Sequence, residues 1–311
     1  MSESIPSKVA VVGTGTVGAS WAAYFLSRGI EVAATDPGPG AEALLRRTVE
    51  QAWPILEQLG LAKGADPSRL SFSDDLAETL EGAELVQESA PEREDLKIEL
   101  FSKLDALTGP EVILATSTSG LLITRIAQQC VHPERCVTAH PFNPPYLMPL
   151  VEVVGGEKTS AATIERAIEF YRAIGKFPIH VRTEVVGHVA NRLQAAVFRE
   201  AIHLVASGVA SAADVDAAIA NGPGLRWALM GPLLTFHLAG GDGGIEHFMD
   251  HLTEAHNIWF ADLSQDPITD ESSAAVIRGV VDEAAGRSVA ELVARRDAFL
   301  EELLELLKRR S

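Results

Sequence analysis

Residues 8–22, KVAVVGTGTVGASWA, leave few folds open to this chain: an apolar run ends in Gly13-x-Gly15-x-x-Gly18 and passes straight into small and apolar residues with helical spacing. The first glycine permits a tight turn, the second lets the backbone approach a pyrophosphate, and the third lets the helix pack close to the strand. Unpaired amides and the dipole at the helix start favour an anion there. Gly13, Thr14, Gly15, Thr16, Val17 and Gly18 are therefore the expected phosphate cradle of an α/β domain.

A second apolar run, EVAATD, ends at Asp36, eighteen residues past Gly18. A carboxylate at that point bonds both ribose hydroxyls of an adenosine and repels a 2′-phosphate, so NAD is expected over NADP. Further strand-like runs recur at 84–89, 112–118, 136–140, 149–156 and 177–182, and helical spacing fills 44–59, 96–107 and 160–174. This alternation predicts a parallel, doubly wound sheet of the Rossmann type.

After Glu184 the periodicity is helical with no clear strand, as in HVANRLQAAVFREAIHLVASG and SVAELVARRDAFLEELLELLKRR. Two domains are expected, 1–184 binding nucleotide and 185–311 all helical, which suits 311 residues because one core seldom grows past roughly 250–300. The last helix carries an apolar stripe through Leu292, Phe299, Leu303 and Leu306 that packs either within the subunit or against a partner.

Charge excludes whole classes of partner. Twenty-six basic and 43 acidic side chains leave a net −17, a surface that repels phosphate backbones and anionic lipid, so neither nucleic acid nor membrane is an expected partner. The opening MSESIPSKVAVVG lacks the basic-then-apolar pattern of a leader, and no apolar run approaches the roughly 18 residues of a membrane span. A cytoplasmic protein is expected, with Cys130 and Cys136 as free thiols. His247, His251 and His256 share a helical stretch, but no cysteine or acidic third ligand accompanies them in a recognisable pattern. A solvated helix face is expected there, and no metal.

The stretch TAHPFNPP, residues 138–145, sets His140 at a strand end among three prolines, and the next strand carries Glu152. If these strands run side by side, the carboxylate reaches one ring nitrogen, fixes the tautomer and raises the basicity of the other. That is what removing an alcohol proton requires while a hydride leaves the same carbon. A structural His–Glu hydrogen bond is the plainer account of such a pair; its place at a strand end, on the side of the sheet where a cofactor lies, favours catalysis.

The ordered motifs VVGTGTVG, ESAPERED, STSG, HPFNPP, LVEVVGG and GHVANRL resemble the L-3-hydroxyacyl-CoA dehydrogenase family over residues 8 to about 260. The resemblance implies a nicotinamide-binding domain followed by a helical dimerisation domain, and hence a homodimer. It implies catalysis by His140 and Glu152, with Ser119 and Asn191 on the substrate oxygen. It also implies that Asp36, Glu92, Lys97, Ser117 and Asn143 join the glycine loop in holding the cofactor. Each has a plainer account: Ser119 caps a turn before Gly120, Asn191 braces its helix, and Glu92 with Lys97 forms a solvated pair.

Within that family, GPGLRWALMGPLLTFHLAGGDGG (222–244) and QAWPILEQLGLAKGA (51–65) resemble the branch that oxidises L-carnitine, and more distantly the gulonate dehydrogenase and lambda-crystallin branch. Carnitine offers a hydroxyl, a carboxylate and a quaternary ammonium. Arg226 suits the carboxylate as a bidentate partner, and Trp227, Phe236, Phe142 or Tyr146 suits the cation. A helix-surface salt bridge beside a core tryptophan is the plainer account of Arg226 and Trp227.

Residues 37–70 hold one lysine, Lys63, and three arginines, a weak grip on coenzyme A phosphates. NAD-dependent oxidation of a small 3-hydroxy acid is thus expected before a hydroxyacyl-CoA or gulonate. His188 and Pro223 fall near the expected pocket with no role to read. A non-catalytic NAD-binding or structural protein is the competing class, against which the set Ser119, His140, Glu152 and Asn191 weighs.

Overall fold

Strand β1 (Lys8–Val12) turns Val9 and Val11 to one face and Ala10 and Val12 to the other, and all four are buried. A strand apolar on both sides needs helices on both. The computed structural model, which describes residues 5–308, supplies them. The chain continues through α1 (Thr16–Ser27), β2 (Glu31–Thr35), α2 (Ala41–Leu59), β3 (Leu70–Phe72), α3 (Leu76–Leu80), β4 (Leu85–Glu88) and α4 (Glu94–Leu107). It goes on through β5 (Ile113–Thr116), α5 (Ile123–Ile126), β6 (Cys136–Pro141), β7 (Leu150–Gly155), α6 (Ala161–Ala173) and β8 (Phe177–Val181). Trp21, Phe25, Leu45, Leu56 and Tyr171 from α1, α2 and α6 fill one face. Phe101, Leu104, Ile123 and Ile126 from α4 and α5 fill the other.

The eight strands lie in the order β3-β2-β1-β4-β5-β6-β7-β8. All seven expected strands are present, and two features depart from the expectation. An eighth strand, β3, forms from three residues at the sheet edge, too few to leave a pattern in sequence. The sheet is also not wholly parallel, because β7 runs antiparallel to β6. Only eight residues, 142–149, join the two, and a parallel return needs a crossover of a dozen or more.

From β1 the chain steps outward to β2 and β3, then returns to the other side of β1 as β4. The topological switch point therefore lies between β1 and β4, where ligands of such sheets bind outside the carboxyl ends. Gly13 follows β1 and Ser89 follows β4 at that point; a Cβ on Gly13 would lie 2.6 Å from the Ala90 nitrogen.

Beyond β8 every described element is helical: α7 (Ala190–Ala206), α8 (Ala212–Asn221), α9 (Pro223–Trp227), α10 (Pro232–Ala239), α11 (Gly244–Asp262), α12 (Asp270–Ala284) and α13 (Val289–Lys308). Two compact units result, one running through Arg192 and taking in the chain from Arg295, the other Leu193–Ala294. This differs from the expected 1–184 and 185–311 for two local reasons. Glu152 bonds the amides of Val189 and Ala190, which anchors the start of α7 to the sheet. Asp297 on α13 accepts from the Tyr146 hydroxyl at 3.0 Å, which anchors the last helix likewise.

On α13, Phe299 and Leu306 remain 63% and 57% exposed, so much of the apolar stripe stays open to solvent. In the second unit, α10 packs on α11 through Phe236 and Phe248, whose rings are 4.8 Å apart. Ser211 caps α8, and Thr269 with Ser272 forms a capping box on α12. Among the described residues no helix is long and apolar enough to cross a membrane.

Candidate active site

The three glycines of the cradle are needed for different reasons. Gly13 has φ of 90°, and a Cβ on Gly18 would run into the Gly13 carbonyl oxygen, so the fold requires both. A Cβ on Gly15 would meet nothing within 4 Å, which leaves open space above the loop. Helix α1 starts there with no side-chain cap and no acidic residue in its first turn, so its amides and dipole stay available to an anion. The Asp36 carboxylate accepts from the amides of Thr14 at 2.7 Å and Gly38 at 2.8 Å, which fixes it beside the cradle. Thr14 is fully buried and its hydroxyl oxygen has no partner among the described residues. These residues fit a dinucleotide: amides for the pyrophosphate, and a fixed carboxylate where the ribose would lie.

Lys97, expected at the cofactor and with a solvated pair to Glu92 as the plainer account, is in neither a solvated position nor a close pair with Glu92. It is 1% exposed, its Nζ lies 2.6 Å from Glu88 Oε1 and 3.1 Å from the Ala90 carbonyl, and Glu92 stands farther off at 3.8 Å. Glu88 is also fully buried, and its carboxylate takes further donors from the Ala90 amide and the Thr116 hydroxyl. A buried ion pair survives only when its remaining positions are satisfied, as they are here. Glu92 instead gathers the turn that follows β5, accepting from the Thr118 hydroxyl at 2.6 Å and the amides of Ser119 at 2.8 Å and Gly120 at 3.2 Å. Ser117 bonds Gln87 at 2.8 Å and Ser89 at 2.9 Å, and Asn143 is exposed in the turn after β6.

The antiparallel register places His140 directly opposite Glu152. Nδ1 of the ring lies 2.8 Å from Glu152 Oε2, with His140 4% exposed and Glu152 fully buried. A carboxylate accepts only, so Nδ1 carries the hydrogen and Nε2 presents its lone pair. Burial pushes the Glu152 carboxyl up, but the His140 hydrogen bond and the amides of Ala190 and Val189 outweigh it and hold the group below its usual range. One carboxylate thus orients the imidazole and caps the first turn of α7.

That turn brings Ser119 and Asn191 together. The Asn191 amide donates to the Ser119 carbonyl at 3.2 Å, so the two lie side by side next to the dyad's carboxylate. His188 holds a left-handed φ of 49°, is 1% exposed, and stands with its ring 5.3 Å from that of His140. Its Nε2 donates to the Thr118 carbonyl at 3.1 Å, leaving Nδ1 as a buried acceptor without a partner among the described residues. A strained backbone costs about 1–3 kcal/mol and an unpaired buried acceptor about as much, a concentration typical of functional sites. In sequence His188 falls near the expected pocket, but nothing local marks its burial or its left-handed backbone.

The aromatic expectations divide. Phe142 stands edge-on to His140 with ring centres 5.4 Å apart. The Tyr146 hydroxyl is engaged by Asp297, and burial, then that carboxylate, pushes the phenol up to about 12. In the second unit, Arg226 lies on α9 with no ion-pair partner among the described residues, and Trp227 is 39% exposed, so the surface salt bridge beside a core tryptophan is not what forms. Pro223 opens α9, where its fixed φ suits the first helical position. Phe236 packs in the aromatic group of α10 and α11. Nδ1 of His251 and of His256 each faces a carbonyl one turn back, at 3.0 and 2.8 Å; His251 is exposed, whereas the half-buried His256 also packs its ring among Phe236, Phe248 and Trp259.

A nucleotide cradle at the switch point and a histidine–carboxylate pair at the end of β6 define a nicotinamide-dependent alcohol dehydrogenase. The family follows from comparison. The 3-hydroxyacyl-CoA dehydrogenase NAD binding domain matches residues 8–185 and the C-terminal domain of the same family matches 187–272, so the chain belongs to the 3-hydroxyacyl-CoA dehydrogenase family. It is 52% identical to an L-carnitine dehydrogenase of Streptomyces coelicolor over 96% of this chain and 93% of that one. It is 47% identical to an L-carnitine dehydrogenase of Bacillus cereus over 99% and 95%.

Among solved structures, an NAD-dependent 5-formyl-3-hydroxy-2-methylpyridine 4-carboxylic acid 5-dehydrogenase is 30% identical with a TM-score of 0.83, covering 97% of this chain and 98% of that one. The (S)-3-hydroxybutyryl-CoA dehydrogenase of Ralstonia eutropha is 27% identical with a TM-score of 0.63, covering 82% and 88%. The chain is thus an NAD-binding oxidoreductase. Its family boundary at 185–187 coincides with the end of the strands, a few residues before the compact helical unit begins.

Proposed function

We propose that this enzyme oxidises the 3-hydroxyl of L-carnitine to 3-dehydrocarnitine with NAD. The observation that carries the proposal is the buried His140–Glu152 pair with its lone pair on Nε2, in a chain close to half identical to L-carnitine dehydrogenases along nearly its whole length. His140 takes the hydroxyl proton at Nε2, and Glu152 stabilises the resulting imidazolium through Nδ1. Ser119 and Asn191 position the substrate oxygen. The glycine loop, Asp36, Glu92, Lys97, Ser117 and Asn143 would hold NAD, Lys97 by way of the Ala90 turn that it bonds. NAD, when bound, supplies the hydride acceptor.

Carnitine's quaternary nitrogen is two bonds from its carbinol carbon, so its pocket must adjoin His140. Phe142 lies there. Tyr146 in the same unit, and Trp227 and Phe236 in the helical unit, are the other rings proposed for the cation, and Arg226 is the group proposed for the carboxylate. A homodimer is part of the same reading: Phe198, Leu233, Trp259, Phe260, Ile277 and Val281 are all more than half exposed on the helical unit, more apolar surface than a soluble monomer usually shows. The reading also places the enzyme in the cytoplasm, where spent NADH is reoxidised; cell fractionation tests that.

The test of substrate is NADH formation by the purified protein with NAD and, in parallel, L-carnitine, L-gulonate and 3-hydroxybutyryl-CoA. Turnover on carnitine at least about a hundredfold above the other two is expected. Preference for the thioester or for gulonate contradicts the assignment, and silence on all three favours a non-catalytic role.

A further inference from the structure

Behind the cradle a line of polar side chains crosses one layer of the core. Tyr171 on α6 is fully buried, and among the described residues its hydroxyl bonds only Gln87 Oε1. Gln87 lies on β4 between Val11 of β1 and Ala115 of β5, and it too is fully buried. Its Nε2 donates to Ser117 Oγ at 2.8 Å, and Ser117 Oγ stands 2.9 Å from Ser89 Oγ. Ser89 borders the glycine loop, since a Cβ on Gly18 would come within 3.2 Å of the Ser89 Cβ.

The line has a direction. An amide oxygen only accepts, so the Tyr171 hydroxyl donates to it; the amide nitrogen only donates, so Ser117 Oγ accepts. Turning the amide over would leave the Tyr171 hydrogen without an acceptor in the interior, at the cost of an unmade hydrogen bond. Burial holds the phenol above its ordinary range, so it keeps its proton at any working pH. With one lone pair engaged by Gln87, the Ser117 hydroxyl has its hydrogen free to give to Ser89 or to a ligand.

We propose that Tyr171 is a positioning residue for the dinucleotide site, acting through Gln87 to hold the Ser117 hydroxyl as a hydrogen-bond donor toward an acceptor oxygen of the cofactor. The proposal rests on the reading of Ser117 as a cofactor contact. Without the phenol hydroxyl, Gln87 is free to turn over and draw the Ser117 hydrogen to itself. The ligand then meets an acceptor where a donor stood.

A double-mutant cycle on NADH binding tests this, with Tyr171→Phe, Ser117→Ala and the double variant titrated by NADH fluorescence. Each single change is expected to weaken NADH roughly 5-fold, and the double variant to be no weaker than Ser117→Ala alone. A packing role for Tyr171 would lower melting temperature without that coupling. Wild-type affinity in Tyr171→Phe alongside a weakened Ser117→Ala overturns the inference alone, as do effects that multiply in the double variant. Wild-type affinity in Ser117→Ala removes the contact itself, and both the reading and the inference with it. If Tyr171→Phe does not fold, Gln87→Met, similar in volume, removes the amide that fixes the Ser117 hydroxyl and should weaken NADH, though less than Ser117→Ala does; wild-type affinity in that variant overturns the inference.

Discussion

The nucleotide-binding unit buries charge, whereas the helical unit exposes hydrophobes. In the first, Glu88, Lys97 and Glu152 are at most 1% exposed, each with partners for its polar atoms. In the second, Trp259, Phe260 and Val281 are 59%, 60% and 64% exposed, and few side chains are buried, Ile202 and Phe248 among them. The difference separates a unit that closes its own core from one that leaves large apolar side chains exposed. Fixed buried polar groups of this kind hold a geometry at little reorganisation cost, which is what the proposed chemistry at His140 requires.

The sharpest way to break this comparison is to orphan a buried charge. Lys97→Ala strands Glu88 in the interior, and denaturant unfolding is expected to show a loss of about 3–5 kcal/mol. Next is the cradle, where Gly18→Ala forces a methyl against the Gly13 carbonyl and should cost about 1–3 kcal/mol together with NADH affinity. Gly15→Ala has space for its methyl, so it should keep its melting temperature and still lose at least about tenfold in NADH affinity. In the helical unit, Trp259→Asp with Phe260→Asp should halve the sedimenting mass while shifting subunit stability by less than about 1 kcal/mol. A comparable loss of subunit stability would mean that this face belongs to the subunit's own core.

The smallest effect is a pH slope. Burial, against the Thr118 hydrogen bond, lowers the His188 pKa, with the His140 ring adding to the fall and Glu152 and Glu92 opposing it. Below about pH 6.5 the unfolded chain therefore takes up a proton that the fold does not, and stability falls as pH falls until the lowered pKa is passed. His188→Asn tolerates the left-handed backbone and should flatten that limb. Glu152 has the same sign in a lower range: its contribution is present above the usual carboxylate pKa and is lost as pH falls through the depressed one.

What the sequence disclosed follows the same division. The cradle and the dyad were legible because both rest on short spacings: six residues span Gly13 to Gly18, and a hairpin-length link sets His140 against Glu152. The burial of Lys97 was not, because its nearest partner sits on a preceding strand end and polarity alone predicts exposure. Tyr171 with Gln87, 84 residues apart, and Tyr146 with Asp297, 151 apart, leave no local trace at all. The helices of the second unit were legible from periodicity, but periodicity marks an apolar face without saying what covers it.

The central claim is that His140 is the base that takes the alcohol proton. A single-turnover measurement of NADH formed from L-carnitine and saturating NAD, on wild type and His140→Ala, tests it most directly, with NADH affinity measured on both proteins. The expected result is a loss of roughly a thousandfold in rate with NADH affinity unchanged within about twofold. A variant that still forms NADH at the wild-type rate would contradict the account, and the buried pair would then be only a structural hydrogen bond.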